Sequence, residues 1–228
     1  MLVAACSAHR TPPATLPAPS GTTWLVFIDD LHLDFRNTGY IRRLLRSLTD
    51  GLIADGDVFA LQSTGPSGQS VGLGSDRALL DAAIGRVSGN GLKLAEILVD
   101  RTQTHARREI DYRCEVSVSA ALRMLAQMPA WPGRRRGMLY VTSGYDADRQ
   151  QERLSRIARA ARGSNVRVFV IDPRTMPGVP TTLSDDAVRN AAARAGQEAI
   201  AAGTGGFVVT ELVHLPAAID RINRAMPR

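Results

Sequence analysis

The chain has 228 residues, 44% hydrophobic and 22% charged, an ordinary globular composition for one medium-sized core. A formal charge of +6 raises nucleic acid as a partner, but every cation except Lys93 is an arginine, the arginines are scattered over the predicted helices, and aromatics make up only 5%. That describes an arginine-biased solvated surface and argues against nucleic-acid binding. Cys6 and Cys114 are too few for a disulfide framework and too far apart for a zinc signature, and no segment approaches the ~20 apolar residues of a membrane-spanning helix.

Residues 1–20 stand apart from the rest. Met1-Leu2-Val3-Ala4-Ala5-Cys6-Ser7 is followed by a stretch rich in Pro, Ala and Thr that ends at Ser20. The small residues before Cys6 resemble a bacterial lipobox, which implies lipidation of Cys6 after signal cleavage. The residues preceding Cys6 carry no charged side chain and only a short apolar run, a departure from a full signal peptide. The Pro-rich stretch reads as a semi-rigid spacer that lifts the remainder, residues 21–228, off a bilayer. The expected location is the bacterial cell envelope, lipid-anchored and facing the periplasm or exterior. A cytoplasmic chain with a disordered leader is the alternative.

Trp24-Leu25-Val26-Phe27-Ile28 is a continuous apolar run, the pattern of a strand covered on both faces, and it runs into Asp29-Asp30. Asn37-Thr38 caps a helix that buries Ile41, Leu44, Leu45, Leu48, Leu52 and Ile53, ended by Asp55-Gly56. Residues 57–63 form a second strand and residues 70–73 a weak third. Ser75-Asp76 caps a helix with Leu79, Leu80, Ala83, Ile84 and Val87 inward. Residues 88–115 are ambiguous: Gly89-Asn90-Gly91 opens a loop, and the charged stretch after it fits a lid, an inserted helix or a disordered loop. A helix over residues 115–128 turns Val118, Ala121, Leu122 and Leu125 to one side.

Arg134-Arg135-Arg136, expected to be solvated, lead into a strand that ends Val141-Thr142 and then Ser143-Gly144-Tyr145-Asp146. A helix over 148–163, a strand over 166–171 ending at Asp172, a helix capped by Ser184-Asp185-Asp186, a strand over 207–210 and a helix opened by Pro216 complete the chain. This alternation predicts an α/β fold, a doubly wound, mostly parallel six-stranded sheet with helices on both faces. In such sheets ligands bind beyond the carboxyl ends of the strands, where the acidic tips Asp29, Asp30 and Asp146 fall.

With these elements in order, the chain resembles the von Willebrand factor type A domain, most closely its bacterial group. The stretches that carry the likeness are residues 26–33, 74–80 and 135–146, and it spans roughly 22–226. The resemblance implies a Rossmann-like sheet and a metal-ion-dependent adhesion site built from Asp-x-Ser-x-Ser, a loop threonine and a second aspartate. Hard divalent cations want such oxygen ligands. Here Asp29 matches the first acid, but Leu31 and Leu33 stand at the serine positions, Val116 at the threonine with Ser117 and Ser119 beside it, and Ser143 at the second acid. The implied site is degenerate; a magnesium or other divalent ion would have to be held by Asp29, Asp30 and Asp146.

Each candidate has a plainer reading beside it. Asp29 and Asp30 also suit loop hydrogen bonding at a sheet edge. His32 lacks a ligand-spaced partner and suits loop packing. Ser143 lacks a nucleophile elbow. Tyr145 is either an exposed aromatic for a partner or packing over its loop. A phospho-receiver would need an acid ending a middle strand and a lysine ending the last; a nucleotide hydrolase using Asp29-Asp30 would need a phosphate loop; the sequence has none of these. The expectation is therefore a non-enzymatic protein–protein module, with Asp29, His32, Ser117, Ser143, Tyr145 and Asp146 at the contact edge and no cofactor required.

Overall fold

The computed structural model of the protein describes residues 20–65, 67–92, 104–145, 147–178, 187–210 and 212–226. Its central strand, β1 (Thr22–Ile28), is buried along its whole length. It pairs in parallel with β2 (Val58–Ser63) on one side and β4 (Arg135–Val141) on the other. Beyond β4 lie β5 (Arg167–Ile171) and the two-residue β6 (Val208–Val209), both parallel. β3 (Ser70–Gly74) runs antiparallel to β2 and closes the opposite edge. The order β3-β2-β1-β4-β5-β6 steps outward from β1 in both directions, so a crevice opens where the order reverses, between the carboxyl ends of β1 and β4.

Strand periodicity divides the core in two. Trp24, Val26, Ile28, Leu139, Val141, Phe169 and Ile171 face α1 (Thr38–Leu52), α2 (Arg77–Arg86) and α6 (Leu215–Ala225). Leu25, Phe27, Met138, Tyr140, Val168 and Val170 face α3 (Thr104–Ala126), α4 (Ala147–Gly163) and α5 (Ala187–Ala201). Both faces are therefore helix-covered, as the unbroken apolar runs of the strands require. Gly137 lets this happen beside β1: a Cβ there would lie 2.5 Å from the Trp24 ring, so only glycine admits the indole.

Three sequence expectations are corrected. Leu79 is 57% exposed, because α2 packs beside the edge strand β3 and, among the described residues, nothing beyond that edge covers its outer flank. The helix expected from residue 115 begins at Thr104; its charges, which obscured it, are matched by α4, where Arg149 and Arg153 reach Asp111 and Arg153 and Arg156 reach Glu115. The arginine run is not simply solvated. Arg134 is buried and donates to the carbonyls of Thr22 and Gly56, while Arg135 and Arg136 reach those of Met226 and Ser164. Guanidinium forks here satisfy loop carbonyls at the amino ends of the strands.

Candidate functional site

β1 delivers Asp29 into the crevice. Its backbone N–H still donates to Val141 O at 2.9 Å, so the side chain is held at the junction with β4. Asp29 is 0% exposed, and a buried carboxylate must find donors. It finds four close ones on three segments, the turn after β1, α3 and the loop after β4. Oδ1 accepts from His32 Nδ1 at 2.9 Å and from Ser117 Oγ, on α3, at 2.6 Å. Oδ2 accepts from Thr142 Oγ1 at 2.8 Å and from the Tyr145 hydroxyl. Tyr145 is in turn joined to the Tyr140 hydroxyl at 2.7 Å. Burial by itself would push the Asp29 carboxyl up; the His32 imidazole, with hydrogen bonds from His32, Ser117 and Tyr145, overcomes that and holds it below the usual carboxylate range.

Asp30 faces elsewhere. Its carboxylate accepts from Thr64 Oγ1 at 2.9 Å and from the Ser67 hydroxyl, tying the loop after β2 to the end of β1. Gly65 is packed so tightly over it that a Cβ would lie 2.5 Å from Asp30 Oδ1. Burial pushes this carboxyl up, and the Ser67, Thr64 and Gly65 hydrogen bonds only partly offset it. The Asp30 carbonyl accepts from Asn90 N–H at 2.7 Å, and Arg113 of α3 reaches Asn90 O at 2.7 Å, so the loop around Gly89-Asn90-Gly91 is locked against the end of β1.

Tyr145 is a correction to its reading as an exposed contact aromatic. It is 4% exposed, and its plainer role, packing, is the one found. The cause is α5, which closes over the loop. Gly196 brings that helix close enough that a Cβ would sit 2.8 Å from Tyr145 O, and Gly144, at φ +96°, lies against Ala193. The His32 ring covers the other side, 4.5 Å between centroids. Ser117, also expected at the contact edge, is 0% exposed, because its hydroxyl is drawn into the crevice by Asp29. Ser143 is half-buried and stands outside the network. Asp146 and Cys6 lie outside the described residues.

Of the residues expected at the contact edge, the structure brings Asp29, His32, Ser117 and Tyr145 together around one carboxylate, and it adds Thr142, Thr64 and Tyr140, which the sequence did not single out. Thr142 was visible as the first polar residue after the apolar run of β4. The rim that reaches solvent differs from the expected set: the His32 side chain is 17% exposed, Leu31 is half-buried, and Phe35 is 68% exposed on the same loop.

This arrangement does not fit a divalent cation. Each Asp29 oxygen is occupied by two side-chain donors, and Leu33, at a position where the resemblance implies a serine, is buried in the core. Thr64 Oγ1 bridges the two acids, 2.9 Å from Asp30 Oδ1 and 3.4 Å from Asp29 Oδ1, and among the described residues no group of three or more His, Cys, Asp or Glu is placed to hold a metal. Nor does it form a catalytic triad. Ser117 and Asp29 both approach the same His32 nitrogen, Nδ1, at 3.5 and 2.9 Å, and Ser117 donates directly to the carboxylate.

No family model matches the chain, and neither does any curated protein. Among solved structures it is similar to an aerotolerance-related membrane protein from Bacteroides fragilis NCTC 9343, in a form with multiple mutations to serine. That match has a TM-score of 0.52 and 14% identity over 91% of this chain and 98% of the other. It is also similar to the conserved hypothetical protein BatB from Bacteroides thetaiotaomicron, with a TM-score of 0.50 and 15% identity over 90% and 98%. The shared feature is the fold, which is von Willebrand factor A-like, six-stranded and mostly parallel.

Proposed function

We propose that this von Willebrand factor A-like domain is a non-enzymatic interaction module that presents the carboxyl edge of its sheet to a partner protein without a bridging metal ion. The observation that carries the reading is the fully engaged Asp29 carboxylate, bonded to His32, Ser117, Thr142 and Tyr145. A buried, satisfied network of this kind fixes the crevice as a rigid support, and the contact is made by what stands around it. Phe35 is the obvious anchor: a large ring, 68% exposed, on a turn braced by the Asp34–Arg36 ion pair.

The same geometry weighs against the receiver and hydrolase alternatives. Both would need the Asp29 and Asp30 carboxylates free to hold magnesium, and both are committed to protein hydroxyls. The lipid tether at Cys6, behind the Pro-rich spacer, completes the proposal and sets the partner in the cell envelope. One protein sharing the fold is described as a membrane protein, and no helix among the described residues here is long and apolar enough to cross a membrane.

The test is site-directed photo-crosslinking in envelope extracts of the source bacterium. A benzophenone side chain at position 35 captures a discrete partner, and the same group at Asp81, exposed on α2, does not. Equal capture from both positions, or none from either, contradicts the proposal.

A further inference from the structure

On the opposite flank of the sheet, beyond β4 and β5, lies a second surface independent of the Asp29 rim. β6 is an edge strand. Val170 N–H donates to Phe207 O at 3.0 Å, and Val170 and Ile171 pair with Val208 and Val209. Because main-chain groups alternate sides along a strand, those of Val208 point away from β5, where no strand among the described residues pairs with them. Gly206 makes the approach to β5 possible, since a Cβ there would meet Val168 O at 2.0 Å.

Along this edge runs a groove of about 320 Å3 whose lining includes Gly206, Phe207 and Val208, with Arg194 and Glu198 of α5 on one side and Arg221 of α6 on the other. Phe207 packs toward the α6 layer and Val208 toward the α5 layer, so the groove opens between the two helical layers directly over the strand edge. Its charge is unbalanced. Arg194 is paired with Glu198 at 2.9 Å, whereas Arg221 lies over the Phe207 ring at 3.9 Å and has no carboxylate partner among the described residues. An unpaired strand edge is a template for an added strand, and natural edges carry charge or proline to discourage it. The β6 segment Gly206-Phe207-Val208-Val209 carries neither.

We propose that this groove binds an extended, acidic peptide segment of a partner protein. The segment adds a strand beside β6, bonds through its main chain to the Val208 N–H and C=O, and places a carboxylate on the Arg221 guanidinium.

The test pans a library of random linear peptides against the full chain and measures the selected peptides by fluorescence anisotropy. The expected peptides alternate β-branched residues with Asp or Glu. Their affinity falls about tenfold or more in R221E, as for loss of a charge-assisted hydrogen bond, and is kept in R221K and in F35A. N-methylation of one alternate set of peptide residues abolishes binding and of the other set leaves it intact, the signature of strand addition. Selection of no peptides, selection without acidic enrichment, indifference to R221E, or equal effects of the two methylation sets overturns the proposal. So does Arg221-dependent binding to phosphatidylglycerol vesicles with no peptide selected, which would make the groove a lipid-headgroup site.

Discussion

Ser117 donates its hydroxyl to Asp29 Oδ1 at 2.6 Å, joining the middle of α3 to the tip of β1 across 88 positions of sequence. Tyr145 donates to the other oxygen of the same carboxylate. Helix, strand tip and the loop after β4 are thereby held on a single buried charge.

Removing one of those donors leaves the charge under-solvated. Ser117→Ala is expected to cost about 1–3 kcal/mol, and Tyr145→Phe a similar amount, by urea denaturation. Because both act on one carboxylate, the double variant departs from additivity by about 0.5 kcal/mol or more. Strict additivity would mean that the two hydroxyls do not share Asp29.

Acid stability separates the adjacent aspartates. The Asp29 carboxyl is held below its ordinary 3.8, so its contribution is complete above that value and is lost as pH falls below it, through the folded-state pKa. Asp30 has the opposite sign: its carboxyl is pushed above 3.8, so the folded chain holds that proton more tightly and stability declines as pH rises through the folded-state pKa. Urea midpoints measured across the acid range show that decline in the wild type and lack it in Asp30→Asn. An unchanged slope in the variant would place the effect on another group.

The crevice was legible in outline because β1 and β4 are unbroken apolar runs and because polar residues follow each of them directly. Helix boundaries near Asp76 and Pro216 were legible for local reasons, a capping side chain and a proline, whereas α1 starts at Thr38 without the expected side-chain cap from Asn37. What escaped was set by distant packing. Tyr145 reads from its neighbours as either exposed or packed, and what buries it is α5, arriving through Gly196 some fifty residues later, together with the His32 ring. The amino-terminal half of α3 stayed ambiguous between a lid, an inserted helix and a disordered loop because its acids are answered by arginines on α4, a pairing with no local signature. Arg134 was hidden likewise, since its carbonyl partners belong to the β1 entry and the turn before β2.

Gly196→Ala probes that closure. Its Cβ would lie 2.8 Å from the Tyr145 carbonyl oxygen, a backbone atom with little room to yield, so the loop or the helix must shift. The expected cost is about 1–3 kcal/mol, with increased quenching of tyrosine fluorescence by acrylamide. Wild-type stability and quenching would show that α5 does not seal the loop.

Cys114 is 1% exposed in the layer between α3 and the sheet, and burial together with the nearby Asp29 charge pushes its thiol up to about 12. It therefore stays unreactive toward a thiol-specific disulfide reagent in the folded protein at neutral pH and reacts fully in denaturant. Rapid native labelling at Cys114 would show that α3 opens readily from the sheet.

Divalent-cation titration tests whether the Asp29 crevice takes a metal ion. Purified protein is titrated with magnesium and then manganese while the backbone amides of Asp29, Ser117 and Thr142 are followed by NMR. No saturable shift with magnesium and no selective broadening with manganese is expected, because His32, Ser117, Thr142 and Tyr145 already occupy both oxygens of Asp29. Saturable shifts centred on those three amides, matched by selective manganese broadening, would contradict that occupancy.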